Sequence, residues 1–171
     1  SWPGYTDTPM RVMEGYLQLA AEATRQIAAS PSHILLQAGV GGLAAAVAAH
    51  ARAVWGDYPT IIIVEPEAAP ALIKSIRKGR LLTSEGPVSS MGRLDCKTPS
   101  MVALAGLARD ADLFVTISER EAAKGVAILA ECGIATTPSG GAGLAALLAG
   151  LPDLTAESRV LTIVSEGPED V

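Results

Sequence analysis

The chain has 171 residues, a formal net charge of −5 and 49% hydrophobic residues, of which few are aromatic. That length carries one well-filled core, and Ala, Leu, Val and Ile must supply it, a balance suited to helices packed on a buried sheet. The acidic charge and the lack of a basic run speak against nucleic acid as a partner, and neither a signal-peptide pattern nor an 18-residue apolar span points to a membrane.

The first element is the stretch "TPMRVMEGYLQLAAEATRQIAA". Met10, Met13, Tyr16, Leu17, Leu19 and Ala20 recur near helical spacing, which predicts a helix with Thr8 as N-cap and Pro9 at its first position. After the turn signal Ser30-Pro31-Ser32, "HILLQ" reads as a buried strand. Gly39 to Gly42 form a loop, and Leu43 to Val54 a helix of small residues. "TIIIVEP" is a β-branched run ended by Pro66 and predicts the next strand. Ala68 to Lys78 follows as a helix, with Pro70 tolerable only in its first turn.

From Gly79 to Thr98 the pattern dissolves into a connection long enough to be functional or mobile. Ser100 to Ala108 returns as a helix and "DLFVTIS" as a strand. "SEREAAKGVAILAECG" is then a capped helix, with Ser118 and Glu121 at capping-box spacing and Gly133 at its end. A second glycine loop, "TTPSGGAGLAALLAG", introduces a short helix, and "RVLTIVSEG" closes as a strand. This alternation predicts an α/β fold with a mainly parallel sheet flanked by helices. The start at Ser-Trp-Pro-Gly and the stop at "SEGPEDV" read as the ends of a fragment.

Three readings fit Gly39-Val40-Gly41-Gly42-Leu43-Ala44. One is a tight turn that needs glycine for its backbone alone. The second is dinucleotide binding, since the stretch fits G-x-G-x-x-A and Glu65 ends the next strand where a ribose carboxylate belongs. The third is a cup for the phosphate of a smaller cofactor, held by amides of residues 39 to 43 and the positive end of the following helix. Glu65 precedes Pro66 at a helix start, where a carboxylate suits the dipole without any ligand. A flat cofactor ring would exploit both this loop and the second glycine turn, Ser139 to Gly143. Ser165, at the end of the last strand, places a hydroxyl where it can bond a neutral ring nitrogen.

Together, "GYTDTPMRVMEGY" (4–16), "LLQAGVGGLAAAV" (35–47), "IIIVEP" (61–66), "SMGRLDCKTPS" (90–100), "PSGGAGLAAL" (138–147) and "VSEGPED" (164–170) resemble the fold-type II pyridoxal-phosphate enzymes, the tryptophan synthase β-like superfamily. Within it they are most similar to the diaminopropionate ammonia-lyases. The resemblance implies that Gly39, Val40, Gly41, Gly42 and Leu43 cradle the phosphate of pyridoxal 5'-phosphate and that Ser165 meets the pyridine nitrogen. It implies elimination from the small amino acid 2,3-diaminopropionate to pyruvate and ammonia, in a cytoplasmic homodimer. The family's Schiff-base lysine matches none of Lys74, Lys78, Lys97 or Lys124. Residues 1–171 then form one cofactor-binding α/β domain of a two-domain enzyme, inactive alone and without a catalytic residue of its own. Gly41→Val is expected to place a side chain where the phosphate sits.

Other residues carry quieter expectations. His33 and His50 lack the partners of a metal set and read as structural or surface histidines. Cys96 lies beside Lys97 and Arg93, cations that lower a thiol pKa, but it reads as an exposed, idle thiol, and neither it nor Cys132 has metal-type spacing. Ser139 reads either as a cofactor contact or as the N-cap of the helix near Gly141. Trp2 and Tyr5 are expected to cover a hydrophobic edge.

Overall fold

A computed structural model describes residues 1–151 and 153–168, so the end of the 164–170 motif lies outside the described residues. The strands are β1 (His33–Gln37), β2 (Thr60–Pro66), β3 (Leu113–Ile117) and β4 (Val160–Thr162). They form one sheet in the order β3-β2-β1-β4, and every pairing is parallel. Between them run the helices α1 (Asp7–Gln26), α2 (Gly42–Trp55), α3 (Ala71–Lys78), α4 (Met101–Asp110), α5 (Glu119–Glu131) and α6 (Ala142–Ala149).

The continuous apolar runs of β1 and β2 are explained by burial on both faces. Ile34, Leu36, Ile61 and Ile63 pack on one side with Ala44, Ala48 and Ala51 of α2 and Ala103 and Leu107 of α4. Leu35, Ile62 and Val64 pack on the other with Ala122 of α5 and Ala142, Ala145 and Ala146 of α6. Each of these fully enclosed strand side chains contributes about 1.5–3 kcal/mol of transfer free energy. The small residues set the spacing: a Cβ on Gly125 of α5 would lie 2.5 Å from the Ala145 Cβ of α6.

The strand order defines the place where a ligand can enter. From β1 the chain moves outward to β2 and β3, then returns to add β4 on the other side of β1. Connections diverge at the β1–β4 pair, and in open parallel sheets the crevice beyond the carboxyl ends of such strands is the binding position. The glycine loop follows β1 and Ser165 follows β4.

Two expectations are corrected here. The first helix starts at Asp7 with Thr6 at the N-cap, so Thr8 and Pro9 lie inside its first turn. Proline is accommodated there because none of the first four amides has an intrahelical acceptor. Trp2 and Tyr5 stack on each other at 4.5 Å between ring centroids. Trp2 stays 61% exposed, so the pair covers itself rather than an edge of the core.

Candidate functional site

At the carboxyl ends of β1 and β4 a cleft of about 340 Å³ is lined by Gly39, Val40, Gly41, Gly42, Leu43 and Ser165. All six residues singled out in the sequence thus meet in one place. Its other walls come from Met13 and Tyr16 of α1 and from Arg93, Leu94 and Cys96 of the long connection. The volume falls in the range of small-molecule sites.

The glycine loop leaves donors free. Gly41 is the N-cap of α2, no side chain caps the helix, and its first turn holds no acidic residue. An α-helix leaves its first amides without intrahelical acceptors, and here Gly41, Gly42 and Leu43, which carry them, all line the cleft at the positive end of the α2 dipole. α1 and α6 also lack a side-chain cap, whereas α4 and α5 have one. Ser100 Oγ accepts from Ala103 N, and Ser118 and Glu121 close a reciprocal capping box. An anion would complete at α2 what side chains complete at α4 and α5.

The glycines do different jobs. Gly41 sits at φ +96°, and a Cβ there would lie 3.2–3.3 Å from Leu107, Ala103 and Leu72, pointing into the core and not into the cleft. The expected action of Gly41→Val is therefore corrected, because the added side chain would meet packed aliphatic groups and not a phosphate. A Cβ on Gly39 would lie 2.9 Å from Arg93 O and 3.1 Å from Cys96 Sγ, so Gly39 lets the 93–96 wall close against the loop.

The second glycine turn does not line the cleft among the described residues. It supports from behind: a Cβ on Gly140 would lie 3.0 Å from Glu166 N, and Gly140 O accepts from Ser165 N. Ser139 neither caps α6, whose N-cap is Gly141, nor reaches the cleft; its hydroxyl accepts from Arg93 N at 3.1 Å. The expectation that a ring would use both loops is thus replaced by a division between a contacting loop and a bracing one.

Glu65 is not available to a ribose. It is 1% exposed, and its two oxygens accept from Leu72 N and Ile73 N at 2.7 and 2.8 Å, completing the amino end of α3. Burial pushes its carboxyl up to about 7, against the opposing pull of those amides. The dinucleotide reading fails on this geometry.

The long connection is pinned. Lys97 Nζ donates to Ala68 O, Pro87 O and Asp95 Oδ1, while Glu119 accepts from Ser89 Oγ and from the amide and hydroxyl of Ser90. Cys96 is half-buried in the cleft wall instead of exposed. Burial raises its thiol pKa, so it is held as a thiol. His33 and His50 bond Ser32 and Thr24, as structural histidines do. Gln37, Arg93, Leu94, Met13 and Tyr16 were not singled out as site residues, although all lie within the motifs that carried the resemblance.

The last strand is shorter than expected, Val160–Thr162, so Ser165 lies beyond it; a parallel α/β sheet with an uncapped β–α junction and this hydroxyl lining one cleft is the framework of a phosphate-ester cofactor protein. The family model described as "Pyridoxal-phosphate dependent enzyme" matches residues 3–166, and the chain belongs to that family. Diaminopropionate ammonia-lyase of Escherichia coli K12 is 32% identical across 100% of this chain and 48% of its own length. The chain spans about half the length of the curated relatives it matches. The crystal structure of the E. coli lyase in complex with an aminoacrylate–PLP azomethine reaction intermediate has a TM-score of 0.87 at 32% identity, covering 98% of this chain and 48% of that one. The crystal structure of a threonine deaminase from T.th. has a TM-score of 0.80 at 26% identity, covering 93% of this chain and 57% of that one. Among the described residues no helix is long and apolar enough to cross a membrane.

Proposed function

We propose that this chain supplies the phosphate cup and the ring-nitrogen contact of a pyridoxal-phosphate ammonia-lyase acting on 2,3-diaminopropionate. In that reaction one 2,3-diaminopropionate and one water give pyruvate and two ammonia. The observation that carries the reading is the convergence of the free Gly41–Leu43 amides and the Ser165 hydroxyl in one cleft. The likeness to the E. coli lyase across all of this chain, 48% of that protein's length, supports the substrate.

The cofactor, when bound, supplies the electron sink that eases removal of the substrate's Cα proton. The chain's own groups do the rest of the work assigned to it. The α2 amides fix the phosphate and so set the position of the ring. Ser165 meets the ring nitrogen with a hydroxyl and not a carboxylate, which keeps electron withdrawal mild and favours prompt loss of a β leaving group. Lys97 is held by three oxygen acceptors, and Lys74, Lys78 and Lys124 stand exposed on helices. On this reading none of them holds the cofactor covalently, and the chain alone does not release ammonia. We infer a cytoplasmic homodimer for the full-length protein. The unpaired Cys96 and Cys132 support the compartment, and the exposed Met10 and Leu17 of α1 support a covering partner.

Parallel titrations with pyridoxal phosphate and NAD test the assignment. Pyridoxal phosphate should bind more tightly and move the amide resonances of residues 39–43. Tighter binding of NAD, abolished by Glu65→Ala, would overturn it.

A further inference from the structure

Gln37 ends β1 and is 3% exposed. Its Nε2 lies 2.8 Å from Ile163 O, 3.1 Å from Gly140 O and 3.0 Å from Ser165 Oγ. Two of these neighbours are backbone carbonyls, which only accept, so the nitrogen and not the oxygen of the side-chain amide must face them. The amide nitrogen has two protons for these three acceptors and does not itself accept, so its bond to Ser165 Oγ shares a proton with a carbonyl and leaves the hydroxyl as the acceptor. A hydroxyl carries one proton, and that of Ser165 is donated to no group among the described residues, on a residue that lines the cleft.

We propose that Gln37 is a positioning residue that holds the Ser165 hydroxyl as a hydrogen-bond donor toward the cleft, selecting a ring nitrogen that is unprotonated. This rests on the reading of the cleft as a pyridoxal-phosphate site. A second observation supports it. The other end of the amide, Gln37 Oε1, is buried without a hydrogen-bond partner, as is Thr162 Oγ1 on the same side of Gly143. A Cβ on Gly143 would lie 3.0 Å from Gln37 Oε1, so a glycine is needed to leave it room. A leucine or methionine would fill the same space without an orphaned oxygen. What the amide contributes here is its N–H groups.

The test is a double-mutant cycle on the 171-residue chain, using pyridoxal phosphate labelled with ¹⁵N in the ring. Ser165→Ala should weaken binding about fivefold in the wild-type background, the loss of one ordinary hydrogen bond, and less than about twofold in Gln37→Met. The ring ¹⁵N resonance should move in Gln37→Met toward its position in Ser165→Ala, a change that looser packing alone would not produce. Gln37→Glu, which offers only acceptors when ionised, should move it at least as far and serves if Gln37→Met fails to fold. In the ligand-free wild type, the Gln37 side-chain amide protons should exchange slowly. Equal penalties in both backgrounds, or rapid exchange of those protons, would overturn the inference while leaving the phosphate cup standing. Failure of the wild type to bind pyridoxal phosphate would overturn both.

Discussion

Replacing Gly41 and Gly42 in turn by alanine separates what the loop does for the fold from what it does for a ligand. At Gly41 the left-handed backbone, φ +96°, costs an L-residue about 1–2 kcal/mol. The new Cβ also enters the van der Waals shells of Leu107, Ala103 and Leu72 at 3.2–3.3 Å, and overpacking of that kind costs about 1–3 kcal/mol. The sum, about 2–5 kcal/mol, is a large share of a domain stability of about 5–15 kcal/mol. At Gly42 the first residue of α2 has no such constraint. A Cβ there meets Met13 Cγ at 3.6 Å and Tyr16 Cε2 at 3.9 Å, ordinary contacts with two cleft-lining side chains. Alanine there should leave stability within about 1 kcal/mol of wild type while narrowing the cleft. Urea unfolding followed by circular dichroism reads both. With a slope of about 2 kcal/mol/M, Gly41→Ala should lower the midpoint by about 1–2.5 M and Gly42→Ala should barely move it. Pyridoxal-phosphate affinity should fall in Gly42→Ala at unchanged stability. A Gly41→Ala variant as stable as wild type would refute the placement of that Cβ in the core.

Glu65 makes stability depend on pH in a direction unusual for a carboxylate. Its folded pKa of about 7 lies above 4.5, so the folded chain holds the proton more tightly; the resulting stability is full below pH 4.5 and falls as pH rises toward 7, by about 3 kcal/mol. The gap in urea midpoint between wild type and Glu65→Gln should shift accordingly between pH 4.5 and about 7.5, and a gap constant across that window would refute the assignment. Ser118→Ala removes the hydroxyl half of the α5 capping box and should cost about 1 kcal/mol in thermal unfolding. The Glu121 carboxyl, held below its usual range by the Ser118 amide and hydroxyl, should rise part of the way back in a carboxyl-carbon NMR titration. Glu119→Ala frees Ser89 and Ser90 and should speed hydrogen exchange across residues 86–97 without lowering global stability by more than about 1 kcal/mol.

The parts of this architecture that were legible in the sequence are those whose causes are local. β1 and β2 begin and end where expected because apolar runs there meet turn residues and Pro66. The capping box at Ser118 is set by residues three apart, and Glu65 reaches amides only seven and eight residues on. The start of α1 was displaced because proline fits anywhere in a first turn, so Pro9 fixes the neighbourhood of the boundary and not its residue. The support of the site was hidden for a different reason. Ser139 finds its donor 46 residues earlier at Arg93, and Gln37 finds its acceptors 103, 126 and 128 residues later. No spacing rule reports such pairs, because the sheet order brings them together.

That distance dependence explains why so many glycines surround a single cleft. Three stretches far apart in the chain must come within backbone contact: the loop after β1, the wall at 93–96, and the segment after β4. A side chain at Gly39 would hold the first two apart, and one at Gly140 would meet Thr136 Oγ1 at 2.5 Å and Glu166 N at 3.0 Å, pushing outward both residue 166 and the Thr136 hydroxyl bonded to it, and Ser165 with them. A side chain at Gly143 would collide with Thr162 Oγ1 and Gln37 Oε1, the groups beneath the hydroxyl. Glycine at Gly41 supplies the backbone turn, whereas at Gly39, Gly140 and Gly143 it supplies proximity between segments. Of the two glycine turns only the first lines the cleft among the described residues, so adding a methyl group at Gly140 should displace Ser165 and weaken the ring-nitrogen contact without touching the phosphate cup. Inorganic phosphate, which has no ring, should then bind Gly140→Ala as it binds wild type while pyridoxal phosphate binds it less tightly. Equal losses for both probes would mean that the second glycine turn braces the whole cleft and not the hydroxyl alone.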